Sequence, residues 1–153
     1  MTAGTASSYQ GRYAGAVSRF AAYAIDLAVS TGAFWVTLEA ISFGVQVVTG
    51  HGVSWNRSSG VVAGVFVAWQ FLYFGYSWAT AGRTVGMGVL GVRVVRTDGA
   101  VLEPRRAVVR ALVFPLSFLF CGLGLLGIVV QRENRALHDW IAGTAVVYAW
   151  DAR

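Results

Sequence analysis

The chain has 153 residues, of which 56% are hydrophobic and 12% charged, with a net charge of +5 and a mean hydropathy of +0.60. A soluble domain carries about 25% charge, so the composition argues against one and for a single small membrane bundle. All the positive side chains are arginines, and they flank apolar segments, which fits topology control and anionic lipid headgroups and argues against a nucleic-acid partner.

Residues 1–18 form a small, polar N-terminal tail with no apolar core of the signal-peptide kind. The first apolar segment, 19–42, is long enough to cross a bilayer as a helix and too long for a signal peptide. It carries Asp26, with Arg19 seven residues earlier. Seven residues make nearly two helical turns, so the two charges share one face. A carboxylate at membrane depth is costly and needs a partner or a wet path. The second segment, 60–79, follows a Gly/Ser-rich stretch, 45–59, with Arg57 as its single arginine. Gly60 and Gly64 open it at a spacing that permits close helix approach. Gln70, Tyr73 and Ser77 fall on one face of it. Tyr73 and Ser77 lie near the depth of Asp26, as candidate hydrogen-bond partners, and Arg110 is a charged candidate. Such contacts either fix helix packing or line a transport path.

The loop 81–106 holds Arg83, Arg93, Arg96, Arg105 and Arg106. The positive-inside rule places it in the cytoplasm. Two spans then bring the N-terminus, with Arg12, to the same side and leave the short loop around Trp55 outside. Within the basic loop, 92–95 alternates as a strand does, Thr97-Asp98-Gly99 supplies a turn, and Val101-Leu102 begins a return strand. Thr144–Tyr148 is a further β-branched run, expected as the third strand of a small cytoplasmic sheet. That sheet requires both regions on one side of the membrane. The third apolar segment, 107–130, is interrupted by Pro115 and by Gly122, Gly124 and Gly127, and Arg132 and Arg135 follow it. A re-entrant hairpin is the expectation, with a single third span as the alternative. The fold class is thus a mainly α membrane protein. It has two transmembrane helices, a third Pro/Gly-interrupted apolar segment and a small cytoplasmic β-sheet, all in one membrane domain over 19–150.

Signals for chemistry are few. Residues 86–91 match G-x-G-x-x-G, but a membrane helix precedes them and a strand follows, the wrong order for a dinucleotide site. They are expected as a turn into the hairpin. His138-Asp139 suggests a metal or a proton relay, yet His51 lies in the predicted outer loop and no third ligand stands nearby, so no metal site is expected. Cys121 is the single cysteine, so no intrachain disulfide is expected. There is no Ser/His/Asp or Cys/His arrangement and no pair of carboxylates facing a cleft. The expectation is no enzyme, no catalytic residue and no cofactor.

Depth decides how the charges pair. Arg19 starts the first helix at the inner surface, and Asp139 follows the third segment on the same predicted side. Asp26 lies roughly 10 Å further along the axis. An arginine so close to the surface snorkels outward, so Arg19 is expected to pair with Asp139 rather than Asp26. Asp26 is expected to face protein and not lipid.

Arg19-x6-Asp26, Gly82-Arg-Thr-Val-Gly86 with Gly91-Val-Arg-Val-Val95 and Asp98-Gly99, and 135–147 with Asp139 occur in an order that resembles the RDD family of bacterial membrane proteins. That family is named for an arginine and two aspartates, here matched by Arg19, Asp26 and Asp139. Arg110 sits where the family often has an arginine ahead of its last apolar region. The resemblance covers about residues 17–147. Met87 departs from it, standing where the family commonly has a lysine, so any phosphate- or anion-binding role of that lysine is in doubt here. The resemblance implies a multi-pass protein of the bacterial cytoplasmic (inner) membrane. It also implies a link to transport, either as a cation/proton antiporter or beside larger systems such as actinobacterial lipid-import machinery.

Two functions follow as expectations. The first is a non-catalytic accessory or assembly subunit of a larger membrane transport complex. There, Arg19 and Asp139 tie the C-terminal segment to the first helix. The alternative is a small oligomeric transporter, cation- or proton-coupled, with Asp26 as the binding carboxylate and Arg19 and Asp139 as a gate. The expected partners are membrane lipids, with anionic headgroups at the arginine-rich loop, and a membrane-protein partner or further copies of the chain.

Overall fold

A computed structural model describes residues 12–115 and 136–149. Helix α1 spans Ala16–Thr49. It begins three residues earlier and ends seven later than the apolar run suggests. Its 34 residues reach about 51 Å at the helical rise, well beyond a hydrocarbon core of about 30 Å. It stops where Gly50 turns left-handed, at φ 77°, and its N–H returns to the Gln46 carbonyl. The following loop folds back on the helix end: Trp55 donates to the Leu38 carbonyl at 2.9 Å, and the Ser42 hydroxyl bonds the Val53 carbonyl. Helix α2, Gly60–Ala81, begins with the Ser59 hydroxyl accepting from the Val61 N–H at 3.2 Å, an ordinary N-cap. It ends at Gly82, again left-handed.

Both helices are apolar nearly all round. Val17, Val36, Phe43, Val61, Leu72 and Tyr76 stand exposed, each by more than half. Against the described residues, α2 buries only Phe74 and Trp78. An all-round apolar helix this long that buries so little of itself suits a bilayer, not water. Both are long and apolar enough to cross a membrane.

After α2 come helix α3 (Val85–Val89), strand β1 (Val92–Arg96), helix α4 (Pro104–Val113), helix α5 (Leu137–Ala142) and strand β2 (Thr144–Tyr148). Strands β1 and β2 pair antiparallel, from Val92 opposite Tyr148 to Arg96 opposite Thr144. The other edge of β2 meets the N-terminal segment. Tyr13 bridges Val147, Ala14 donates to the Val146 carbonyl at 2.8 Å, and Tyr148 donates to the Arg12 carbonyl at 2.9 Å. The third neighbour of the sheet is therefore Tyr13, from the segment read as a polar tail. The return strand expected at Val101-Leu102 shrinks to one bridge between Val101 and Val95. Its cause is Pro104, which occupies the first turn of α4. Proline starts helices readily and leaves only Val101, Leu102 and Glu103 before the helix. Leu102 packs into the core instead, 5% exposed.

Two further expectations change. The G-x-G-x-x-G stretch is not a plain turn. Its residues 86–89 belong to α3, whose Thr84 cap accepts from the Met87 N–H at 3.3 Å. Residues 107–113, expected as the start of an apolar segment, belong to an amphipathic helix with Ala107, Arg110 and Ala111 buried. The hairpin-or-span choice falls on 116–130, which with Cys121, Arg132 and Arg135 lies outside the described residues. The core gathers at one end of α1 and α2, where Ala22, Trp78, Met87, Val92, Val94 and Val146 are all buried.

Candidate functional site

The buried residues of α1 form one stripe: Arg19, Ala22, Tyr23, Asp26, Ser30, Phe34 and Leu38. Spacings of three and four keep them on one face. The stripe is polar at the sheet end and apolar beyond Ser30. Each of its two charges fastens a different element to α1.

Asp139 is the centre of the first fastening. It is fully buried, as are Arg19 and Arg110. Arg19 Nη2 pairs with Asp139 Oδ2, and Arg110 Nη1 with Asp139 Oδ1. Asp139 Oδ2 also accepts from the Ala136 N–H at 3.0 Å. That is the half of a capping box in which the third helical residue reaches back to the cap; alanine has no hydroxyl to supply the other half. Arg110 Nη1 donates further to Thr144 Oγ1 at 3.0 Å, and the Thr144 hydroxyl donates to the Asp139 carbonyl at 3.4 Å. The Arg110 guanidinium lies over the Trp78 ring, 4.5 Å from its centre, a cation–π contact strengthened by exclusion of water. One carboxylate thus joins α1, α4 and α5, and a fourth element, α2, closes on the arginine.

Burial alone would raise the Asp139 carboxyl. The adjacent Arg110 and Arg19 outweigh it and hold the group well below the usual carboxylate range. His138, beside it and fully buried, is pushed down to about 3. Burial is the main cause there; the Asp139 charge opposes it, and the Arg110 and Arg19 charges add to it. The ring is therefore neutral at physiological pH. It packs edge-on to Phe114, with centres 5.1 Å apart, and its Nε2 lies 3.4 Å from the Tyr23 hydroxyl. His138 is a filled core position rather than a free ligand. Among the described residues no group of three metal-ligating side chains converges.

Asp26 is the centre of the second fastening and is also fully buried. Tyr73 donates to its Oδ1 at 2.8 Å, the Gly86 N–H to the same oxygen at 2.7 Å, and Thr84 Oγ1 to Oδ2 at 2.5 Å. Gly86 must be glycine for this approach. A Cβ there would stand 2.2 Å from the Ala22 carbonyl oxygen and 3.0 Å from Asp26 Cγ. Asp26 thereby holds the start of α3 against α1. Among the described residues no cation pairs with it.

Of the expected partners of Asp26, Tyr73 is present. Ser77 makes no hydrogen bond with it among the described residues, and Arg110 goes to Asp139. Gln70 lines an apolar groove of about 560 Å³ between α1, α2 and α4, with Phe20, Leu27, Phe66 and Phe114 among its walls. The Gln70 side-chain oxygen is buried there without a hydrogen bond among the described residues. Thr84 and Gly86 were not foreseen as partners of Asp26. Their signal was the Gly82–Gly86 stretch itself, a hydroxyl two residues before a glycine.

The sequence model of the RDD family matches residues 13–143. The matched stretch takes in Tyr13 at the sheet edge, both fastenings and the whole of α5. "Uncharacterized protein YckC" of Bacillus subtilis (strain 168) is 38% identical over 76 residues, covering 44% of this chain and 48% of that protein. The chain thus spans about half the length of this curated relative. No solved structure matches the chain.

Proposed function

The chain belongs to the RDD family of membrane proteins, and from that premise we propose that it is a non-catalytic accessory or assembly subunit of a larger bacterial membrane transport complex. The observation behind this reading is that the charges of the buried stripe are spent inside the chain. Asp139 takes two arginines and Asp26 takes three donors; together these contacts tie α2, α3 and α5 to α1, and α4 to α5. Such a knot makes a rigid platform, and the exposed apolar faces of α1 and α2 remain for lipid or for a partner's helices.

Topology is part of the same proposal. Residues 12–14, β1 and β2 meet in one sheet. That favours a shared side for the N-terminal segment, the loop 81–106 and β2, hence an even number of crossings between β1 and β2. Arg83, Arg93, Arg96, Arg105 and Arg106 favour the cytoplasmic side of the inner membrane. Purification without crosslinker, followed by mass measurement of the intact assembly, tests the function. A stable foreign membrane subunit supports the reading, and a pure homo-oligomer rejects it.

One observation favours a second reading. Asp26 is a carboxylate within a span, surrounded by hydroxyls and an amide with no cation pairing among the described residues. This suits a small oligomeric transporter that binds a cation or proton at Asp26. Loss of ion-driven flux in proteoliposomes of a folded Asp26→Asn protein is its signature.

A further inference from the structure

Helix α4 has one buried face, with Ala107, Arg110 and Ala111, and one open face. The open face carries Arg105, Val108 and Leu112, spaced three and four apart and so aligned along the axis. Val108 is 51% and Leu112 61% exposed. From charge to last apolar side chain this face is about 10 Å long. Beside it, α5 presents Trp140, 66% exposed, and Ile141, 51% exposed. Between the two helices lies a cleft of about 230 Å³, lined by Glu103, Arg105, Arg106, Val109, Ile141 and Ala142. Arg106 is anchored in it. Its Nη1 donates to the Ala142 carbonyl at 3.1 Å, and its Nε is 3.7 Å from Glu103. Gly143 leaves room for that guanidinium, since a Cβ would sit 2.5 Å from Nη1. Glu103 is occupied by Arg96 and Arg106. Arg105 has no hydrogen bond or ion pair among the described residues.

We propose that this cleft seats the phosphate of an anionic phospholipid at Arg105, with its acyl chains running along Val108 and Leu112. The order of side chains matches the ligand: a basic group at the helix start, then apolar surface toward the bilayer. Guanidinium forks suit phosphate oxygens better than an ammonium does. Trp140, next in sequence to the cleft-lining Ile141, is exposed on α5, and tryptophan favours the headgroup level. Helix α4 packs along α2, so its open face continues the lipid-facing surface of a bilayer-crossing helix. A soluble anion would gain nothing from Val108, Leu112 and Trp140.

Native mass spectrometry of the full chain, offered phosphatidylglycerol and phosphatidylcholine with identical acyl chains, tests the proposal. Phosphatidylglycerol is expected to be retained in preference. Arg105→Gln should cut that preference roughly fivefold, the factor equal to about 1 kcal/mol per basic residue at an anionic surface. Arg105 is exposed and has no hydrogen bond or ion pair among the described residues, so the variant should keep its melting temperature. Arg57→Gln, at the loop between α1 and α2, should leave the preference unchanged. Equal retention of the two lipids overturns the proposal, as does an undiminished preference in Arg105→Gln. Displacement of the lipid by inorganic phosphate alone also overturns it, since the seat would then serve a soluble anion.

Discussion

Arg19 and Asp139 stand 120 positions apart in the chain and meet side chain to side chain with both fully buried. The pair closes the beginning of α1 onto α5, and Arg110 grips the free carboxylate oxygen from α4. Two cations therefore depend on one anion. Removing Asp139 leaves both guanidiniums without it, whereas removing Arg19 leaves Arg110 in place. Asp139→Ala is expected to be the most damaging single change, at about 3–5 kcal/mol for a broken buried pair. Arg19→Ala should cost less, and the double variant less than the sum. A double-mutant cycle on melting temperature in detergent checks this; strict additivity would show that the two side chains do not interact.

Glycines of the 86–91 stretch should differ sharply in tolerance. Gly86→Ala forces a methyl group against the Ala22 carbonyl and Asp26, while Gly88 has nothing within 4 Å of a Cβ. Gly86→Ala is expected to lift α3 from α1 and to lower the melting temperature by several degrees. Gly88→Ala should be neutral, or slightly stabilising through its better helix propensity. Proteolysis between Gly82 and Gly91 reads the same event directly. Equal behaviour of the two variants would mean that α3 does not dock as described.

That contrast also marks what the residues reveal unaided. The two long helices were legible because uninterrupted apolar length has few other uses. The β1 and β2 segments were legible because β-branched residues crowd them. Arg19 with Asp139 followed from depth alone. Helix α3 was not legible: with two glycines in five residues it has poor helix propensity, and it exists because Thr84 and Asp26 hold its start. Tyr13 was missed because a tyrosine among small and polar tail residues carries no strand pattern until β2 is there to pair with it. Arg110, a charged candidate for Asp26, pairs with Asp139 instead, because the position of 107–113 depends on how α4 packs against α2, which periodicity does not report.

Acid should loosen the first fastening in two stages. His138 takes up a proton near pH 6.5 when exposed but only at about 3 in the fold. Between those values the unfolded chain binds more protons, so stability falls as pH drops below 6.5. Asp139 has a depressed folded value, so its contribution is complete above the ordinary carboxylate value, about 3.9, and is lost as pH falls further. His138→Gln should therefore flatten the decline between about pH 6.5 and 4.5 and leave the lower step. Melting temperatures from about pH 2 to 8, a range that takes in both steps, measure this. An unchanged slope in His138→Gln would place the acid sensitivity elsewhere.

Asp26 separates the two functional readings. Its oxygens receive Tyr73, Thr84 and Gly86. In Asp26→Asn the amide oxygen can keep the Tyr73 and Gly86 donors, and the new NH₂ would face Thr84, whose hydroxyl can rotate to accept. The variant should fold with a cost near that of one hydrogen bond, about 1 kcal/mol. Asp26→Leu strands the buried Thr84 hydroxyl and Gly86 N–H and the partly buried Tyr73 hydroxyl, and should cost several times more, since each unsatisfied buried group carries a penalty of about 1–3 kcal/mol. Tyr73→Phe should fall close to Asp26→Asn. If the carboxylate only fastens α3 to α1, Asp26→Asn keeps its partner subunit and the activity of the whole assembly, and Asp26→Leu loses both. If it carries a proton or cation, Asp26→Asn keeps its fold and its assembly yet loses ion-driven flux in proteoliposomes, because the amide retains the geometry but not the charge. Mass of the assembly and flux, measured on the same preparation, distinguish these outcomes.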